Sequence, residues 1–506
     1  MTIEMSPIRS RRPSCLYPAV AMSSPDRSTP DPDTRNDRRG LFGFGCLGWS
    51  LILLTVLPLL IAGSMGLWWK RRQALAEQAI ADRLQTLSTQ GMPIDAISLQ
   101  TYYNRSTTNH GRDLWRSIRD QLNSEPFATS LGNVLIAVDE KEIPLPGKPY
   151  PADKEIQQIL DDNADFFHEI DQWLDADTHF RVDVDFRDFD TVFFQISNQR
   201  NLARMFRVKA RHSIHHGDSV SAYQALRNGI FLARSQEKSP LLISHLVRIA
   251  VESVAMDSVG MSLEADTLDQ SQLSDLLEAI DALDPSAESL RNAIIGERAF
   301  TLDGFSRDVF ADEDLFFEEP DGLQRTLGGH ATDKLSAIES FDLWLRAVSD
   351  DLVKDAPLLL DIADQQFQSL QQLNVFQQAE RYVSATLMPP VQMSVLAFLR
   401  NEHERRLVRT AIAARLFRQQ ESRWPQSVDE LQRVGLDPRS VHPCGDRPFG
   451  IHEQTDGTLL VWGFDPTTDS PAFSELAPTP TEPPDLTLNP DRDMVIRISA
   501  KPQENE

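Results

Sequence analysis

The chain has 506 residues and a formal charge of −25, with 75 acidic residues against 50 basic ones; residues 1–72 hold ten cations and five acids, which leaves 40 and 70, a balance of −30, for the remainder. A surface of that sign repels phosphate backbones, and no basic cluster interleaved with aromatics relieves it, so nucleic acid is excluded as an expected partner. Of the three cysteines only Cys444 follows residue 72, which excludes an internal disulfide and a cysteine-built zinc site from the rest of the chain.

Residues 1–40 are rich in Ser, Pro, Asp and Arg and nearly free of apolar clusters. Such a segment cannot offset its ordering entropy and reads as a disordered cytoplasmic tail, with Met22 as an alternative start that would remove Cys15. Residues 41–69 then carry no charge and end on Lys70-Arg71-Arg72. A bilayer core needs about 20 apolar residues, so the run is long enough to span it. It lacks the short apolar core and small-residue cleavage site of a removable signal peptide, and is read as a transmembrane signal anchor. Trp49 at one end and Trp68-Trp69 at the other suit the two interfaces, and Pro58 is expected to kink the middle. The nearest cations tie across the span, Arg27, Arg35, Arg38 and Arg39 against Lys70, Arg71, Arg72 and Arg83. Arg9, Arg11 and Arg12 tip the balance toward an N-terminus inside and a body outside the membrane.

Gly43-Phe44-Gly45-Cys46-Leu47-Gly48 matches the dinucleotide fingerprint letter by letter, but no strand precedes it and no acid follows about 20 residues on, so no cofactor is expected. With Ala62 and Gly66 these glycines offer small-residue spacing through which two spans could pair as a homodimer; the alternative is that they face lipid.

Beyond the span, Leu75, Ala79, Leu84 and Leu87 predict a juxtamembrane helix over 73–90, stopped at Gly91 and Pro93. A short helix is expected at 112–122, a surface loop at Pro144, Pro146, Pro149 and Pro151, and one or two helices from Ile156 to Leu174. The stripe Leu202, Met205, Phe206, Ala210, Ile214, the turn Gly217-Asp218 and the returning stripe Ala222, Leu226, Ile230, Ala233 predict an αα-hairpin. Helices over 242–263 and 268–283 follow, the second capped by Asp266 or Thr267. The first hairpin resembles those of tetratricopeptide solenoids, yet no copy recurs at a 34-residue period, so no repeat array is expected. An acidic loop is predicted over 303–333 and helices over 334–352, 358–384 and 391–421. After Trp424-Pro425 come a short helix to Leu431, a hairpin of Phe449–Glu453 with Leu459–Gly463 across Thr455-Asp456-Gly457, and an alternating run at 493–498. Trp424 is expected to be architectural, packed under Phe449, Ile451, Leu460 and Trp462.

The fold class predicted is therefore mainly α: a membrane-anchored body of antiparallel helical hairpins (73–400), a small α+β module (401–470) and a Pro-rich tail with a short strand (471–506).

Two stretches carry family resemblances. Leu202-Ala203-Arg204, Gly217-Asp218, Pro240-Leu241-Leu242-Ile243, Leu246-Val247-Arg248-Ile249-Ala250 and Gly296-Glu297-Arg298-Ala299-Phe300 resemble a large group of single-span bacterial envelope proteins without an assigned activity. That resemblance covers most of 73–470 and implies layout and location, not chemistry. The helix 403–421 with Arg423-Trp424-Pro425, Gly445-Asp446-Arg447-Pro448-Phe449-Gly450 and Leu460-Val461-Trp462-Gly463-Phe464-Asp465 resembles the globular half of type II secretion pseudopilins. Some 330 residues separate it from the apolar helix that adjoins it in pseudopilins. His442-Pro443-Cys444 stands in place of the Asp-Pro-aromatic element, and Phe464-Asp465-Pro466-Thr467 in place of the Gly-Pro-Asp-Gly ending. Pilus assembly and the pseudopilin calcium site are accordingly not implied.

The residues with candidate chemistry each have a plainer reading. His212 and His216 have the i, i+4 spacing of a metal clamp, with His215 between them, but no Glu completes a His-Glu-x-x-His motif and a helix C-terminus favours histidine through its dipole. They are read as helix-end residues, and no metal is expected. His403-Glu404 opens a metalloprotease-like pattern that Leu407 ends. Asp183, Asp185, Asp188 and Asp190 lack the turn Gly and closing Glu of a calcium loop and read as a solvated face. Glu297 is read as a structural carboxylate paired with Arg298 or another cation. No catalytic residue is assigned. The function expected is a membrane-anchored extracytoplasmic scaffold that binds a protein partner of the cell envelope and lacks evident catalysis. The alternatives are a hydrolase-like envelope enzyme with a non-local site and an accessory subunit of a secretion machine.

Overall fold

The computed structural model describes residues 46–105, 110–124, 143–176, 184–187, 189–283, 286–307, 330–436, 449–464 and 493–499. The fold is mainly α, closed by one small antiparallel sheet. The uncharged run and the predicted juxtamembrane helix are one element, α1 (Cys46–Thr89), because Lys70-Arg71-Arg72-Gln73 are good helix formers and nothing interrupts them. Gly91 ends it with φ +71°. Contacts divide the chain at Leu67/Trp68 into two units, of which the second holds the body. In that unit α1 is anchored from its own residues: Ile80 packs with Leu302 and Ile338, Arg72 reaches Glu380 at 2.9 Å and Arg83 reaches Asp342 at 2.6 Å.

A helix not predicted, α2 (Ala96–Asn104), follows; its signal was the reciprocal capping box of Asp95 and Ser98. Helices α3 (His110–Leu122), α4 (Asp153–Asp162) and α5 (Ala164–Ala176) come next. They build an aromatic core in which the Trp115 and Trp173 rings stack at 5.1 Å and Tyr103 meets Phe186 edge-on.

The predicted hairpin is α6 (Phe189–His215) with α7 (Ser219–Arg234). Gly217 turns the chain at φ +70°, and the Asp218 side chain caps α7 by accepting from Ser221 N–H. Helix α8 (Leu242–Ala265) lies on both. The cap expected at Asp266 or Thr267 belongs elsewhere: Asp266 ends α8 in the left-handed region, and Asp269, boxed with Gln272, opens α9 (Gln270–Asp281).

Helix α10 (Ser286–Arg307) takes the first residues of the expected acidic loop; residues 308–329 lie outside the described ones. Gly296 on α10 sits against the Pro240 carbonyl, where a β-carbon would collide with backbone. That close approach lets the neighbouring Glu297 accept from Leu242 N–H at 2.9 Å, which caps α8. Gly296→Ala is therefore expected to destabilise the body by about 1 to 3 kcal/mol through overpacking, read from a denaturant midpoint; an unchanged midpoint would refute the close approach.

The next boundaries differ from expectation. Helices α11 (Ala331–Ala347) and α12 (Leu352–Gln371) are followed by α13 (Val375–Glu380) and α14 (Tyr382–Glu421), and α14 runs without interruption across residues 385–390, which the sequence places between two helices. Tertiary capping explains the start of α14: the fully buried Asp333 carboxylate accepts from Val383 N–H (3.0 Å) and Ser384 N–H (2.9 Å). Among the described residues α14 is long and apolar enough to cross a membrane by length and composition, with 47% of its apolar window buried. It packs on α8, α9, α11, α12 and two strands, as the central helix of a folded body does.

A 3-10 helix (Val428–Val434) and strands β1 (Gly450–Glu453), β2 (Leu459–Phe464) and β3 (Asp493–Ile498) end the described chain. The predicted hairpin pairs Gly450 with Trp462 and Glu453 with Leu459, and β3 joins the other edge of β2. Trp424 is buried with Phe449, Leu459, Val461 and Ile498 in a cluster that also contains Ile214, Met256, Ile280 and Phe417. Leu460 and Trp462, expected above Trp424, alternate to the opposite face of β2, where the indole lies over Gly450.

Candidate functional site

Two clefts gather the ionisable groups. The first lies among α4, α5, α6 and α7, encloses about 300 Å³ and is lined in part by His168, Asp171, Lys209, His212, His216 and Asp218. At its edge the i, i+4 histidines meet a residue that nothing in their local sequence joins to them. Asp153 begins α4, and its Oδ1 lies 3.0 Å from His212 Nε2 and 2.7 Å from His216 Nε2. The two imidazole rings are 4.5 Å apart. His215 faces away, donating from Nδ1 to the Pro144 carbonyl at 3.0 Å and meeting Tyr150 edge-on, so the third histidine fixes the Pro-rich loop that delivers Asp153. His212 is buried and His216 exposed. The hydrogen bond from His216 leads in holding the Asp153 carboxyl below the usual range, while burial leads in pushing His212 down. The ammonium of Lys209, over the Phe167 ring at 4.4 Å, is also lowered by burial.

The second cleft is larger, about 730 Å³, and lies between α8, α14, β3 and the loop at 143–148. Asp257 holds two guanidiniums on its wall, Arg211 at 2.6 Å and Arg207 at 3.3 Å. Glu404 also faces it. Its Oε1 accepts from Ser253 Oγ at 3.1 Å, and its pKa is pushed up to about 7, first by burial and further by the charges of Asp257 and Glu252. Behind it Arg248 pairs with Glu252 at 2.6 Å, and Glu402 pairs with Arg405 and Arg406. A carboxyl near neutrality on the wall of a cleft can take or give a proton at ordinary pH. The local sequence marked Glu404 only as part of the incomplete His403-Glu404 pattern, because Ser253 and Asp257 lie on a helix about 150 residues upstream and meet it only through packing.

The remaining candidates are settled one by one. Glu297 does not pair with Arg298, which binds Asp342 at 2.8 Å; it caps α8, and burial raises it to about 7. Asp185 is engaged by Arg187 at 2.7 Å, which holds it at about 2, while Asp183 and Asp188 lie outside the described residues. Gly43–Gly45 and His442-Pro443-Cys444 lie outside them as well.

Comparison with protein-family models, with curated proteins and with solved structures finds no match to this chain.

Proposed function

We propose that this is a membrane-anchored protein-interaction protein of the bacterial cell envelope, held by residues 41–69, with its helical, acidic body in the periplasm. The observation that carries the reading is a run of helix with no charged residue whose Leu54, Leu57, Leu59, Leu60, Met65 and Leu67 side chains are all at least half exposed. An apolar surface of that extent is unfavourable in water and is covered at no such cost by lipid. The cations that follow it are partly committed to the body, as the Arg72–Glu380 pair illustrates. The net charge near −30 of residues 73–506 favours a partner with a basic face.

Topology is directly testable. An alkaline-phosphatase fusion after Glu506 is expected to be active and the full chain to stay in the membrane fraction after alkaline extraction. An inactive fusion would reverse the orientation, and an extractable protein would remove the anchor.

A second reading, an envelope enzyme of hydrolase type, is favoured by Glu404 in the larger cleft. Turnover of ester, amide or glycoside probes that Glu404→Gln abolishes would support it; turnover equal in both proteins would exclude Glu404 from the chemistry. The order of the C-terminal elements, helix, aromatic-Pro corner and antiparallel strands, is compatible with the pseudopilin resemblance. An accessory role in secretion would be tested by affinity capture; failure to recover components of a secretion machine would count against it.

A further inference from the structure

We propose that Asp153, His212 and His216 form a binding site for one first-row divalent transition-metal ion of the zinc(II) class. Three donors from two elements converge there, their ligand atoms all within 4.8 Å of one another. The two Nε2 atoms point at the same carboxylate oxygen, at 3.0 and 2.7 Å. Metal bonds of about 2.0 to 2.2 Å separate neighbouring ligands by roughly 3.0 to 3.5 Å, so a small outward rotation of the side chains opens the space an ion needs. Two neutral imidazoles and one carboxylate form a borderline donor set that suits zinc(II) and its neighbours better than the all-oxygen sets of calcium or magnesium.

The supporting structure is what such a site requires. His212 is 3% exposed and fixed in the α6 wall, and His216, just past the end of α6, brings its ring to 4.5 Å from that of His212. Asp153 is delivered by the loop that His215 pins through the Pro144 carbonyl. With three protein ligands the ion keeps at least one open position, and His212 and His216 line the 300 Å³ cleft beside it, so water or a small anionic group can complete the coordination. The inference is independent of the anchor and of the Glu404 cleft.

The test uses the full-length chain in detergent, stripped with chelator and titrated with zinc(II) by calorimetry and with cobalt(II) by visible absorption. One ion per chain is expected, with a zinc-dependent rise in Tm. His216→Ala, at an exposed position that leaves the fold intact, and Asp153→Asn, which keeps an acceptor but loses the charge, should each weaken binding at least about 100-fold. Loss of a mere outer-sphere partner already weakens metal sites 10- to 100-fold. His452→Ala, on an exposed strand, should bind as the parent does. Absence of zinc uptake, or affinity equal in parent, His216→Ala and Asp153→Asn, would overturn the assignment.

Discussion

Trp424→Ala is expected to lower the stability of the body by about 3 to 5 kcal/mol, read as a fall in the urea midpoint with an unchanged slope. The indole is 5% exposed and lies in the cluster that joins α14 to the sheet through Phe449, Leu459, Val461 and Ile498. Its Nε1 donates to the Gly457 carbonyl at 2.8 Å, which ties the helix corner to the tip of the β1–β2 turn. The Arg418 guanidinium covers the ring at 4.2 Å from its centroid. Truncation therefore removes a large apolar contact, leaves a cavity and leaves the turn carbonyl with only the longer 3.5 Å contact from Arg418. Trp424→Phe keeps most of the contact but not the hydrogen bond, and should cost about 1 to 2 kcal/mol. Because this cluster reaches Ile214, Met256 and Ile280, the loss should appear in the whole body rather than in a C-terminal transition alone. A variant that kept its midpoint while losing a binding partner would make Trp424 a recognition residue and refute the architectural reading.

The corner was legible in the sequence because its causes are local. The residue before proline is restricted to extended backbone, which turns the chain after Ser422; Pro425 itself precedes the cap of the next helix, Ser427, by two residues and does not enter its first turn. The same holds for the hairpin at Gly217-Asp218 and for the strand register around Gly457, where a left-handed glycine and a short side-chain cap specify the turn. What failed to show was set by tertiary contacts. The start of α14 depends on Asp333, about fifty residues upstream, whose carboxylate supplies the cap that the local sequence Tyr382-Val383-Ser384 does not. The expected gap between the helices over 358–384 and 391–421 is absent, because α14 runs on through it, packed on its neighbouring helices. The histidine pair was visible by its spacing, but its carboxylate lies 59 residues from His212, at the start of another helix. Glu404 was visible only as a fragment of a motif that did not complete, since its environment comes from α8.

Glu297 and Glu404 should together make the body less stable as pH rises from about 4.5 to about 7. Both are carboxyls whose ordinary value is 4.5 and whose folded value is about 7, raised first by burial. In that window the folded chain binds more protons than the unfolded chain, so the proton-linked slope of stability with pH is negative. The stabilising effect of protonation is full below about pH 4.5 and is lost as pH rises through the folded value. A shift of this size corresponds to about 3 kcal/mol per group as an upper bound, because 1.36 kcal/mol accompanies each unit. Glutamine at either position is neutral throughout, and at 297 its carbonyl oxygen can still accept from Leu242 N–H. Glu297→Gln and Glu404→Gln are therefore each expected to exceed the parent in stability at pH 8 by up to about 3 kcal/mol and to match it near pH 4.5. Asp185 and Glu430, both held at about 2, contribute the opposite slope only below about pH 4.5 and cancel in the difference between parent and variant. Urea unfolding at pH 4.5, 6 and 8 distinguishes the outcomes. A parent-to-variant difference that does not grow with pH would mean that neither carboxyl is held protonated. Growth for Glu297→Gln alone would show that the larger cleft is wet enough to leave Glu404 ionised, and with it the proton-transfer role of that residue would fall.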